Sequence, residues 1–224
     1  MSFGDKKLSE IAVSVPGSTS LLRKYDLDFC CGGSDTLANA AAEKGLNLAE
    51  IETRLTELQN SKAENPEEYW VNATYPEIID HILVRYHQRH REQLQELIVL
   101  ADRVENVHGD REDCPMGVAA ELRNVYEDLS NHMMKEEHVL FPMIKAGNYM
   151  MAQMPIRMME MEHAEHGEHL DVLKSLTNNM TPPADACNTW LALYSGIQEF
   201  IDDLMMHIHR ENNILFPRVI AENH

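Results

Sequence analysis

Apolar residues recur at helical spacing along almost the whole chain, and no stretch alternates with the period of two that a half-buried strand requires. Leu8, Ile11, Ala12 and Val15 form a first stripe, which Pro16-Gly17 ends. Ser18 or Thr19 is placed to cap a second helix through Leu21 to Tyr25, and Ser34 or Asp35 to cap a third through Leu37 to Lys44. Gly45 closes that helix, and Leu48 to Leu58 makes a fourth. Between the second and third, Phe29-Cys30-Cys31-Gly32-Gly33 reads as a turn. Residues 1–59 are expected to form a small helical domain, and the polar, acidic, Pro-containing stretch 60–75 a linker. From Pro76 the stripes lengthen into four helices, expected over 76–107, 116–146, 154–178 and 185–221, with Gly109, Gly147 and Thr181-Pro182-Pro183 at the breaks. Short connections between long amphipathic helices give an antiparallel four-helix bundle over 76–224, so the expected fold class is all-α.

Composition narrows the partners. With 224 residues, 44% hydrophobic and 25% charged, the chain is an ordinary globular protein with room for a core. Its 19 Lys and Arg against 37 Asp and Glu leave a formal charge of −18, which argues against nucleic-acid and anionic-membrane partners. No run approaches the roughly 18 apolar residues of a membrane span, and no basic-then-apolar leader opens the sequence. Cysteines at 30, 31, 114 and 187 make no disulfide framework, so a reducing cytoplasm is expected. The unusual counts are 12 His and 14 Met. Imidazole is the commonest protein metal ligand.

The second half of the chain repeats itself. His132-Met133-Met134-Lys135-Glu136 leads to Leu140-Phe141-Pro142, and His207-Ile208-His209-Arg210-Glu211 leads to Leu215-Phe216-Pro217, as H-x3-E-x3-L-F-P offset by 75. One helix earlier, His87-Gln88-Arg89-His90 precedes Leu94 and His163-Ala164-Glu165-His166 precedes Leu170, offset by 76. Two helix hairpins each carry H-x2-H on the first helix and H-x3-E on the second.

Residues four apart differ by about 40° around a helix and about 6 Å along it, so each His and Glu of H-x3-E share a face. With antiparallel helices His87 and Glu211, and His163 and Glu136, fall at matching depths. Leu83, Leu94, Leu129, Leu140, Leu170 and Leu204 mark this face as core. Two buried carboxylates without partners would cost several kcal/mol each, and metal ions compensate them. The groups are too many for one tetrahedral zinc and too rich in nitrogen and oxygen for a thiolate site. They suit two metals, bridged by both Glu and by an oxo or hydroxo group, with two His capping each ion. Iron fits best and manganese next.

One histidine on a helix is usually structural and one H-x3-E is a common accident; two copies in register are not. Both members of each H-x2-H pair lie within about 60° of each other. Spacing therefore leaves His90 and His166 open beside the preferred His87 and His163. His81, His108, His138, His169, His209 and His224 are expected at the surface or in an outer layer, the methionines in core gaps or interfaces, and Glu162 in reach of the site through its neighbour His163. Cys30 and Cys31 would close only a strained ring as a disulfide and are better read as thiols, in a turn that two glycines keep open. They are either filler or a pair that handles iron, a damaged cluster, nitric oxide or a disulfide.

The His/Glu bundle resembles the hemerythrin-like domain. Asp28-Phe29-Cys30-Cys31-Gly32-Gly33, preceded by Phe3 to Tyr25 and followed by that bundle, resembles the Repair of Iron Centres family of bacterial di-iron proteins over nearly the whole chain. The resemblance implies a hemerythrin-like four-helix bundle with a non-haem di-iron centre, a cytoplasmic location, and a homodimer. It implies repair of iron–sulfur clusters damaged by oxidative or nitrosative stress, with damaged iron–sulfur proteins as partners. The ligands it implies are His87, His132, His163 and His207, with Glu136 and Glu211 bridging. Reversible binding or sensing of dioxygen or nitric oxide, and reduction of nitric oxide, are the competing functions. The double cysteine favours repair, since a gas carrier has no need of it, and an iron donor is expected rather than a turnover enzyme.

Overall fold

The computed structural model describes residues 2–61 and 64–222, and among these every regular element is helical apart from one isolated bridge, Lys7 with Thr36. Four short helices come first: α1 (Leu8–Ser14), α2 (Ser18–Lys24), α3 (Leu37–Glu43) and α4 (Leu48–Gln59). A fifth, α5 (Pro66–Asn72), forms inside the stretch expected as linker; Pro66 starts it and the Asn65 side chain accepts from Glu67 N–H at 3.2 Å. Four long helices follow: α6 over 75–108, α7 over 118–145, α8 (Tyr149–Leu176) and α9 over 188–221. Three of the long helices contain a π-helical turn, Leu83–His87 in α6, Glu136–Leu140 in α7 and Glu211–Leu215 in α9. No helix of the described residues is long and apolar enough to cross a membrane.

The chain divides into two compact units, Ile79–Met205 and Met1–Ile78 with Met206–His224. In the second, α1 packs on α2, α5 and the π-turn Glu211–Leu215, while α4 packs on α2 and α3. Leu8, Ile11, Leu22, Leu27, Phe29, Leu37, Ile51, Leu55 and Phe216 are among its fully buried core residues. Burying each such side chain contributes about 1.5–3 kcal/mol. The caps differ from the expected ones. Thr36, not Ser34 or Asp35, accepts from Asn39 N–H and starts α3. Ser18 does not cap α2: Gly17, at φ 74°, reverses the chain and buries the Ser18 hydroxyl, which donates to Ile11 O and Val15 O.

Ile79–Met205 is an antiparallel four-helix bundle, and its side-chain pairs show the order. Between α6 and α7 the pairs run Glu105–Ala119, Asp102–Arg123, Gln95–Tyr126 and His87–Glu137, rising on one helix as they fall on the other. Between α7 and α8 they run Glu121–His169 and His132–Glu162. Between α6 and α9 they run Arg85–Asp203 and Arg89–Glu199, and His108 at the end of α6 meets Cys187 just before α9. Gly196 lets α9 approach α6: a Cβ there would stand 2.7 Å from Leu97 Cδ2. Helix α8 begins five residues before the expected 154, because Pro155 lies inside the helix rather than in its first turn and omits one i→i−4 bond without ending it. Its outer face is a stripe of exposed methionines at 150, 154, 158 and 161, opposite the buried Ala152, Ile156, Met159 and His163.

Candidate metal centre

Within Ile79–Met205, α6 contributes His87, α7 contributes His132 and Glu136, and α8 contributes His163, all buried in the bundle interior. His132 Nε2 lies 3.4 Å from one Glu136 oxygen and His87 Nε2 lies 3.3 Å from the other. His163 Nε2 stands 3.1 Å from His132 Nε2. One potential ligand atom from each of His132, Glu136 and His163 falls within 4.8 Å of the others. Burial pushes the Glu136 carboxyl up, but the His132 and His87 imidazoles outweigh it and hold the group well below the usual carboxylate range.

Neither Glu136 oxygen accepts a hydrogen bond of ordinary geometry from the described residues. A carboxylate so buried is costly unless compensated. Three imidazole nitrogens converge beside it, two of them at a separation where a shared cation suits both lone pairs. The donor set is nitrogen and oxygen with no sulfur, which fits a first-row divalent metal.

The far sides of the His87 and His132 rings are held. His87 Nδ1 lies 2.9 Å from Glu137, whose same oxygen accepts from Arg91 at 2.7 Å. His132 Nδ1 lies 2.9 Å from Glu162, whose other oxygen accepts from Lys135 at 2.5 Å. The His87 contact, with Arg91, brings Glu137 down to about 2 against the effect of burial. The His132 contact, with Lys135, does the same for Glu162. A carboxylate on Nδ1–H fixes the tautomer and turns the Nε2 lone pair inward, the arrangement that orients metal-binding histidines.

Glu162 thus stands where its place beside His163 suggested. Glu137 escapes the sequence reading because Glu136 already fills the H-x3-E frame. The signal that finds it is a second acid one residue on, about 100° round the helix toward α6.

His90 and His166 are buried too. His166 meets the His132 ring edge-on at 4.9 Å, whereas His90 packs between the Tyr86 and Phe200 rings. His138 is exposed, His169 is half-buried between Glu121 and Asp128, and His81 and His108 are half-buried; His224 lies outside the described residues.

In the other unit, His207 and Glu211 are buried on one face of α9 with Nε2 and Oε1 3.3 Å apart. His209, expected at the surface or in an outer layer, is fully buried, because it turns to α5, where its Nε2 lies 3.5 Å from Glu67. Arg210 also pairs with Glu67 and lies over the Trp70 ring. Asn212 donates to Cys30 O at 3.0 Å and Asn213 to Phe29 O at 2.8 Å.

The double-cysteine turn is less open than expected. Cys30 is 5% exposed and Cys31 half-buried. Gly33 serves a close approach of backbones: a Cβ there would stand 2.6 Å from Phe29 O. The Asp28 carboxylate caps the turn, accepting from the N–H groups of Cys30, Cys31 and Gly32 at 3.0, 2.9 and 2.8 Å. The neighbouring Cys31 thiol, burial and the Asp28 charge hold the Cys30 thiol well above the usual range.

The family model of the hemerythrin HHE cation binding domain matches residues 78–219, which defines the bundle as hemerythrin-type, and that of ScdA_N, a domain of unknown function, matches residues 4–59. A protein of Haemophilus influenzae named probable iron-sulfur cluster repair protein is 68% identical over 99% of this chain and all of its own length. Proteins named iron-sulfur cluster repair protein YtfE are 55% identical in Citrobacter koseri, over 99% of both chains, and 54% identical in Musicola paradisiaca, over 98% of both. The chain belongs to this family of iron–sulfur cluster repair proteins.

Proposed function

We propose that this protein repairs iron–sulfur clusters damaged by oxidative or nitrosative stress, acting on damaged iron–sulfur proteins in a reducing cytoplasm. The proposed cofactor is a pair of iron ions. His87, His132, Glu136 and His163 would hold it together with His207 and Glu211, which the internal repeat makes equivalent to His132 and Glu136. The observation that carries the reading is Glu136, a fully buried carboxylate with imidazoles on both oxygens and with those imidazoles oriented from behind by Glu137 and Glu162. When bound, a di-iron pair supplies exchangeable iron and one-electron redox capacity, and nitric oxide and dioxygen are the small molecules such a pair binds. The chain's own share is to keep the ligand lone pairs convergent and to exclude water around Glu136. A homodimer is the assembly the family resemblance implies.

Recovery of activity by a nitric-oxide-damaged iron–sulfur enzyme tests the reading. Wild type should restore it, and iron-free His207→Ala should not. Full repair by the iron-free variant would remove the metal from the function. Reversible uptake of nitric oxide with no repair would favour a gas-binding protein instead.

A further inference from the structure

We infer that Asp28, Cys30 and Cys31 form a second metal site, separate from the His/Glu set, that takes a thiophilic divalent cation, ferrous iron in transit included. The site lies wholly within the unit that contains the double-cysteine turn. Cys30 Sγ and Cys31 Sγ are 3.8 Å apart, and Cys30 Sγ is 3.2 Å from Asp28 Oδ1. One ligand atom from each of the three residues falls within 4.8 Å of the others. Two thiolates that bind one tetrahedral ion at about 2.3 Å each are themselves about 3.8 Å apart, so the turn already holds the two sulfurs at the right span.

The backbone of the turn is held independently of the sulfurs. Three N–H groups converge on the Asp28 carboxylate, Asn212 and Asn213 hold the carbonyls of Cys30 and Phe29, and Gly33 closes the turn against Phe29 O. Such preorganisation keeps the cost of binding low. The chemistry of the donors also separates the two sites. The bundle set is nitrogen and oxygen; this one is two sulfurs and one oxygen, which favours zinc, cadmium and ferrous iron over magnesium or calcium. Asp28 is exposed and Cys31 half-buried, so a fourth position faces solvent, as befits an ion that must leave again. Binding exchanges thiol protons for the cation and releases them to solvent, with no change of oxidation state.

The inference deepens the repair reading, by giving the thiols a metal ion as their cargo, but its test reads ion binding and not repair. Full-length, iron-loaded protein carrying Cys187→Ser, which removes the exposed thiol, is titrated with Cd2+ while its iron content is followed. One Cd2+ per chain should bind with no loss of iron and with a thiolate-to-metal charge-transfer band. X-ray absorption at the cadmium edge should count two sulfur neighbours. Cys31→Ser should weaken binding about tenfold or more, since even partners that only orient a ligand are worth 10–100-fold. Asp28→Asn, which keeps an oxygen to cap the turn, should weaken it less. Cadmium that enters only as iron leaves, fewer than two sulfur neighbours, or an affinity unchanged by Cys31→Ser would each overturn the site. Repair activity without cadmium binding would overturn this inference and leave the repair reading standing. Cadmium binding without repair would do the reverse.

Discussion

Asn212 donates from Nδ2 to the carbonyl of Cys30 at 3.0 Å, one residue after Glu211. The candidate ligand of α9 and the double-cysteine turn are therefore joined through one peptide bond and one hydrogen bond. In the repeat, Asn212 stands where α7 has Glu137. The first hairpin uses that position to hold His87, and the second uses it to hold the cysteine turn. His209, Arg210 and Asn213 likewise replace Met134, Lys135 and His138, and all three face the N-terminal helices or their turns. The departures from the repeat mark the surface of α9 that carries the small helical domain.

Replacing Asn212 and Asn213 together by Ala should loosen the turn without disturbing the bundle. Each hydrogen bond contributes about 1 kcal/mol. Hydrogen exchange of the Cys30, Cys31 and Gly32 amides should speed up by one to two orders of magnitude while iron content stays at the wild-type level. Unchanged exchange would mean that Asp28 alone holds the turn.

Glu137→Gln and Glu162→Gln each keep a hydrogen-bonding group but remove the charge behind a candidate ligand. Each should weaken iron retention about 10–100-fold. Asp128→Asn, an exposed carboxylate paired with the half-buried His169, should leave it unchanged. Competition with a chelator, read by residual bound iron, separates these outcomes; equal retention in all three variants would leave Glu137 and Glu162 as surface charges.

Glu136→Ala should abolish iron binding, whereas His138→Ala, an exposed histidine two residues on, should not. Metal removal from wild type should also lower the melting temperature, since a ligand that binds only the folded state stabilises it. Apo Glu136→Ala should melt below apo wild type, because the His132 and His87 imidazoles that hold the carboxylate would be left buried without it. If wild type melts alike with and without iron, Glu136 is not the group that the metal compensates.

The bundle, its four helices and the face that carries the His/Glu set were legible because burial imposes a 3.6-residue period and because the repeat states the site twice. The π-turns were not. His87 ends one, and Glu136 and Glu211 each begin another, so an ideal-helix projection misplaces the residues that follow by part of a turn. Helix α5 was hidden because its sequence is polar and acidic, and only the pairing of Glu67 with His209 and Arg210 shows why it is ordered. The same pairing explains why His209 is buried: its partner lies 142 positions away along the chain, beyond any local pattern.

That pairing also fixes a dependence on pH. Burial pushes Glu67 up, but the His209 imidazole and the Arg210 guanidinium outweigh it and hold the carboxyl below its ordinary 4.5. Burial holds His209 below its ordinary 6.5, against the pull of Glu67 and with the nearby Arg210 and Arg23 charges assisting. In both cases the unfolded chain binds the proton more readily than the folded one. The His209 contribution is therefore complete above pH 6.5 and is lost as pH falls from there toward its folded value. The Glu67 contribution is complete above pH 4.5 and is lost as pH falls further. Helix α5 should loosen in two stages on acidification, the first belonging to the histidine. Melting temperatures of wild type and His209→Gln between pH 8 and pH 5 isolate that stage, because Gln cannot charge. The variant should melt lower at pH 8, where it loses the packed ring against Phe29, and should converge on wild type toward pH 5. Parallel curves across pH 6.5 would show that His209 does not titrate with folding and that Glu67 and Arg210 alone secure α5.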